Sequence, residues 1–186
     1  MEPAVPHGGP AERWRADRAS VKRARENMTL QERLYEQIDR LRIFPNELAL
    51  LVGKLTPAQL GTPYLAGEWT VAQNVHHLAD SHMHSYTRCK FALAEENPTI
   101  KPYDQDVWAA LPDASDVDLA PSMALLRGLH TRWADFFAAL PEAAWARTIF
   151  HPERGTVTLG QLLDDYVAHG QGHIDQIART LAAAQE

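Results

Sequence analysis

The 186-residue sequence has a single cysteine, Cys89, no excess of positive charge and no long apolar run. One thiol excludes an intrachain disulfide and any zinc site built from several cysteines, so a metal ion would need nitrogen and oxygen ligands. The 24 acidic side chains outnumber the 18 basic ones, giving a net charge of -6, and the chain lacks the basic field that holds nucleic acid. No nucleic-acid partner is expected. No stretch reaches the roughly 18 consecutive apolar residues of a membrane span, and MEPAVPHGGPAERWRADRAS has no apolar segment after its charges. With the lone thiol, these absences predict a soluble cytoplasmic protein with no membrane partner.

The 45% hydrophobic content suits one core. Residues 1–27 are rich in Pro, Gly and Arg and read as a flexible or wrapping N-terminal arm, leaving residues 28–186 as one helical domain. Four Thr-x-x-Glu/Gln signals punctuate that region, at Thr29/Glu32, Thr56/Gln59, Thr70/Gln73 and Thr158/Gln161. In each, the threonine caps free backbone N–H groups and the third residue on reaches back. Long helices are predicted over 29–55, 70–96 and 159–183, and a short one after Thr56. A further helix runs from Met123 to Leu140, with Leu125, Leu129, Trp133, Phe136, Phe137 and Leu140 as its expected core face. Four long helices in one small domain imply an all-α, four-helix bundle. Asn97 to Ser122 reads as a non-helical connection, and TIFHPERGTVT, with β-formers flanking Pro152 to Gly155, reads as a short hairpin before the last helix.

Histidine is the residue in excess. His169 and His173 lie four apart, so on a helix they project from one side, roughly 5 to 6 Å apart at Cβ, where one metal ion could sit. Taken alone the pattern is weak, and the glutamate of the zinc-peptidase motif is replaced by Gly170. Gly170 and Gly172 each cost a helix about 1 kcal/mol and imply close approach of another element. In the helix from Trp69, His82 falls on the apolar stripe with Val71, Val75, Leu78, Tyr86, Cys89 and Leu93, as a core residue would. His77 lies on a polar face with Asn74, Ser81, His84 and Arg88, a face that lines a cavity or meets water. His77 and His84 are separated by a rise of about 10 Å and cannot share an ion. His76 and Asp80 form either a ligand with its carboxylate or a surface pair. Periodicity leaves the third ligand open among His76, His77 and His84.

The run WTVAQNVHHLADSHMHSYTRCKFALAEENPTIKPYDQDVW, followed by HTRW, FHPERG and HGQGHI, resembles the YfiT branch of the DinB-like superfamily, metal-dependent hydrolases and bacillithiol S-transferase-like proteins. The likeness covers about residues 45 to 180. It implies a four-helix bundle binding one divalent ion per chain, zinc or nickel, through three histidines, and a homodimer. The family places its second-helix ligand eight residues after a tryptophan, which from Trp69 is His77; the other two match His169 and His173. His84 and Cys89 stand where the branch usually has asparagine and an aromatic residue, a departure that bears on substrate preference.

Three neutral imidazoles leave an ion its full charge and an open coordination position, as in catalytic sites. The resemblance implies thiol transfer, in which a low-molecular-weight thiol of the bacillithiol type serves as cosubstrate and attacks a small electrophile as a metal-bound thiolate. The alternative is a metal-dependent hydrolase using metal-bound hydroxide, and a second is a non-catalytic metal-binding bundle. Asp80 or Ser81 is expected to orient a ligand or move a proton, and Arg88 to hold an anionic group of the cosubstrate. His151 reads as a hairpin residue or as a cap on the site, and the structural role is the preferred one.

Overall fold

The computed structural model describes residues 28–184, so the arm expected over residues 1–27 lies outside them. The described residues form six α-helices: α1 (Leu30–Val52), α2 (Pro57–Gly61), α3 (Val71–Ala94), α4 (Gln105–Ala109), α5 (Ala120–Ala138) and α6 (Leu159–Ala183). An antiparallel hairpin, β1 (Thr148–His151) and β2 (Gly155–Thr158), precedes α6 as predicted. The four long helices make a four-helix bundle whose core includes Leu48, Val75, Leu78, Leu126 and Ile177. Of the N-terminal unit, Met1–Glu36, residues 28–36 are described; the core and the site belong to the body, Gln37–Glu186.

All four capping signals are formed. Thr56, Thr70 and Thr158 accept from the backbone N–H of Gln59, Gln73 and Gln161, whose side chains return to the cap N–H. Thr29 and Glu32 make the same reciprocal pair at 2.8 and 3.2 Å. These bonds satisfy donors that the first helical turn leaves unpaired, which is why the long helices begin beside their threonines. Helix α1 runs through Pro45, whose ring removes the N–H that would otherwise reach the carbonyl of Leu41 one turn back.

Two expectations are corrected. The connection from Asn97 to Ser122 contains α4 and a 3-10 turn, Pro112–Ser115, and α5 begins at Ala120. The Asp104 carboxylate caps α4, accepting from the N–H groups of Asp106 and Val107 at 3.0 and 3.1 Å. In α5 the buried face is Met123, Leu126, His130, Trp133, Ala134 and Phe137, while Leu125 is 42% exposed. The core stripe passes through His130, so a purely apolar pattern misplaced it.

Helix α3 lies at the centre, packed against α2, α4, α5, α6, β1 and the 3-10 turn. With neighbours on several sides it buries more than its apolar stripe: Asn74, His77, Ser81, His82 and Ser85 are all buried. Arg147 fixes the end of α3, its Nε donating to the carbonyl of Ala92 at 2.9 Å and its Nη2 to that of Glu95. The chain then turns at Asn97, in the left-handed region with φ 45°. It next pairs with the hairpin: Phe150 N–H donates to Pro98 O at 2.9 Å and Ile100 N–H to Phe150 O at 3.0 Å.

The two glycines of α6 differ. A Cβ at Gly170 would lie 2.7 Å from Cε2 of the buried Phe44 ring, whereas one at Gly172 would meet nothing within 4 Å. Close approach therefore explains Gly170 alone. Gly172→Ala is expected to stabilise the fold by about 1 kcal/mol through helix propensity. Gly170→Ala gains the same propensity but overpacks Phe44, and is expected to destabilise by a net of about 1 kcal/mol. Urea unfolding of both variants checks this; two equal shifts would show that Phe44 yields freely.

Candidate metal centre

His77 projects from α3, and His169 and His173 from successive turns of α6, into one place. The Nε2 atoms of His77 and His169 are 3.3 Å apart and those of His169 and His173 are 3.2 Å apart. A tetrahedral ion with bonds of about 2.0–2.1 Å sets its ligand atoms about 3.3–3.4 Å apart. The ligand atoms of the three side chains all lie within 4.8 Å of one another, close enough for the three together to hold one metal ion.

Two of the three rings, His169 and His173, are held from behind by a hydrogen bond on Nδ1. His173 Nδ1 donates to Asn74 Oδ1 at 2.7 Å, and the Asn74 amide is itself oriented by donating from Nδ2 to Thr70 O at 2.9 Å. That chain leaves Nε2 of His173 as the free lone pair. Trp69 stacks parallel to His173 with centroids 6.0 Å apart and meets His77 at 4.7 Å. His169 Nδ1 lies 3.2 Å from Nε2 of the buried His82.

Burial, with a smaller contribution from neighbouring imidazoles, pushes His77 and His169 down to about 3; burial pushes His173 down to about 4. All three are neutral at neutral pH, the form that binds a metal ion. The residues therefore fit a divalent ion: three converging neutral nitrogen donors, two with their far sides engaged by named partners.

A cavity of about 620 Å³ opens beside the triad, with His77, Ser81, Arg88, Tyr103, His151 and Tyr166 in its lining. Ser81 and Arg88 thus line the same cavity as His77. Asp80 is absent from that lining; burial and the nearby Asp113 raise its pKa, against the opposing influence of His76. The alternatives for the third ligand are also separated. His76 spends both ring nitrogens on structure, with Nδ1 at 2.8 Å from Ser122 Oγ and Nε2 at 2.8 Å from Asp116 O. His84 stacks on Tyr103 at 4.8 Å and packs against Trp108 at 5.2 Å.

The sequence reading missed Tyr103 and Tyr166 in the cavity wall, and it put Asn74 on the His77 face without its bond to His173. Burial pushes the Tyr103 phenol up to about 12, against a hydrogen bond with Ser81, so its hydroxyl stays protonated. Arg88 donates to Tyr166 Oη at 3.5 Å and to Lys101 O at 3.3 Å, and no carboxylate among the described residues forms an ion pair with it. His151 accepts from the Glu153 N–H through Nδ1 at 3.2 Å, so it belongs both to the hairpin and to the cavity wall.

The depressed imidazoles set an acid limit. His77, His82, His130, His169 and His173 are neutral in the folded chain, whereas in the unfolded chain each takes a proton below about pH 6.5. The unfolded state then binds more protons, so stability is complete above pH 6.5 and falls as the pH drops toward 4 and 3. The urea midpoint of metal-stripped protein is expected to be level from pH 7 to 8 and to fall steadily between pH 6.5 and 4. A midpoint unchanged across that window would contradict neutral burial.

The DinB superfamily model matches residues 40–177 of the chain. A protein of Bacillus mycoides (strain KBAB4), named as a candidate metal-dependent hydrolase, is 43% identical over 150 residues, 80% of this chain and 86% of that protein. One from Bacillus cereus (strain 03BB102) with the same name is 44% identical over 140 residues, 75% of this chain and 80% of that one. Among solved structures, YfiT from Bacillus subtilis, described as a candidate metal-dependent hydrolase with an unusual four-helix bundle topology, superposes with a TM-score of 0.78 at 40% identity, covering 83% of this chain and 89% of YfiT. A mycothiol-dependent maleylpyruvate isomerase shares the fold alone, with a TM-score of 0.60 at 19% identity, over 75% of this chain and 58% of the isomerase. The chain belongs to the DinB superfamily.

Proposed function

We propose that the protein is a metal-dependent hydrolase acting on small substrates that carry an anionic group. The observation that carries this reading is the convergence of three neutral Nε2 atoms at 3.2–3.3 Å beside a cavity. His77, His169 and His173 would hold a divalent ion with its full charge, and it would supply Lewis acidity for polarising a carbonyl and activating water.

The cavity's own side chains supply the rest. Arg88, with neutral oxygens as its partners, offers its guanidinium to a carboxylate or phosphate on the substrate. Tyr103 stays protonated well above neutral pH, so its hydroxyl donates to an oxygen that gains charge during the reaction. His151, with Nδ1 occupied by the Glu153 N–H, holds its proton on Nε2 and is suited to pass one to a leaving group. Asp80, on the His76 side of α3, is left out of this scheme.

The names of the relatives support hydrolysis over the thiol transfer expected from the sequence. The chain's own thiol supports neither: burial pushes Cys89 up to about 12, which removes it as a nucleophile.

The test is a panel of anionic and neutral p-nitrophenyl esters, run with metal content measured on the same samples. Wild-type protein is expected to hold about one ion per chain and to hydrolyse the anionic esters; His77→Ala is expected to lose both ion and activity. Arg88→Leu is expected to raise KM for anionic esters by about 10- to 100-fold, the strength of a charge-assisted hydrogen bond, while sparing neutral ones. Conjugation of a small thiol to an electrophile without ester hydrolysis would restore the transferase reading. Bound metal with neither activity would leave a non-catalytic bundle.

A further inference from the structure

His82 and His130 are completely buried, at 0% exposure, and neither lines the cavity. Their hydrogen bonds form a chain with a fixed direction. It starts in α1, where Pro45 has no N–H to offer the carbonyl of Leu41. His130 Nδ1 takes that carbonyl instead, at 2.6 Å. A carbonyl can only accept, so His130 carries its proton on Nδ1 and a lone pair on Nε2. That lone pair lies 2.7 Å from His82 Nδ1, which must therefore donate, leaving the His82 lone pair on Nε2. His82 Nε2 in turn lies 3.2 Å from His169 Nδ1. His169 donates there, and its Nε2 is left bare, facing the Nε2 atoms of His77 and His173.

Apolar and aromatic packing keeps each ring neutral. Phe44 lies against both rings with centroids at 5.3 and 5.2 Å, and Trp133 stands edge-on to both at 5.9 Å. The titratable groups that reach His82 are other imidazoles, with no carboxylate among them. A relay ending on a peptide carbonyl orients its ligand without bringing a negative charge toward the ion, unlike a carboxylate partner.

We propose that Pro45, the Leu41 carbonyl, His130 and His82 form a one-way hydrogen-bond relay that fixes the proton of His169 on Nδ1 and keeps its Nε2 lone pair available to a divalent ion. His82 and His130 are then positioning residues. The inference rests on the reading that the triad holds an ion, but its proton assignments are tested without one.

The first measurement is a nitrogen-15 long-range correlation spectrum of the wild-type protein, which reports the tautomer of each ring. His82, His130 and His169 are all expected as Nδ1–H. The second is zinc affinity by competition with a chelating dye. His82→Leu and His130→Leu are expected to weaken binding by about 10- to 100-fold. His82→Gln, whose amide can accept from His169 and donate to His130, is expected to stay close to wild type. An Nε2–H or a protonated ring at His82 or His130 in the wild-type spectrum overturns the relay whatever the variants do, even if the leucine variants fail to fold. Unchanged affinity in a folded His82→Leu overturns it too. Three Nδ1–H rings in a wild-type chain that binds no ion would uphold the relay and remove the metal reading instead.

Discussion

The constraint on which the site depends is that imidazoles packed among apolar and aromatic side chains must stay neutral, and a neutral imidazole has one donor and one acceptor to place. His82 and His130 meet this by bonding in series, and His173 meets it through Asn74. Once the inner nitrogens are assigned, the outer ones are left as lone pairs aimed at one point. Burial creates the demand for partners, and the partners decide which nitrogen faces outward.

Packing and site are coupled through Phe44. Its ring covers His82 and His130 and presses on α6 at Gly170, one residue from His169. The absence of a side chain at Gly170 lets α6 come close enough for His169 to reach His82. A glycine that costs helix stability in isolation is retained because the tertiary contact outweighs its propensity. The opposite wall is fixed from the other direction: the hairpin pairs with residues 98–100, just before the Tyr103 and Asp104 that line the cavity.

Much of the fold was legible because its signals are local. The threonine caps mark where helices begin, the hairpin follows from β-formers around a turn, and the four-residue spacing of His169 and His173 survives directly as a shared site. What local patterns could not supply depends on neighbours. Helix α3 is packed on several sides, so no single stripe separates its buried residues from its exposed ones, and spacing alone could not choose His77 over His76 or His84. His130 occupies a core position in α5 that an apolar pattern skips. Its partner is a carbonyl freed by a proline in α1, a relation that no window of sequence around either residue contains. Asp104 could have been read as a helix cap, but the prolines and acids around it disguised α4 as a loop.

The three candidate ligands come from two helices, with two on α6 and one on α3. The spacing between His169 and His173 is set by a single helical turn and cannot vary much. The size of the site therefore has essentially one adjustable dimension, the separation of α3 from α6, and the site acts as a caliper closed across that gap. An ion held by the three imidazoles would have its ligand distances set by how closely the packed core lets α3 and α6 approach. Any preference among divalent ions would then be referred to the compressibility of the bundle, since imidazole ligands are shared by many ions.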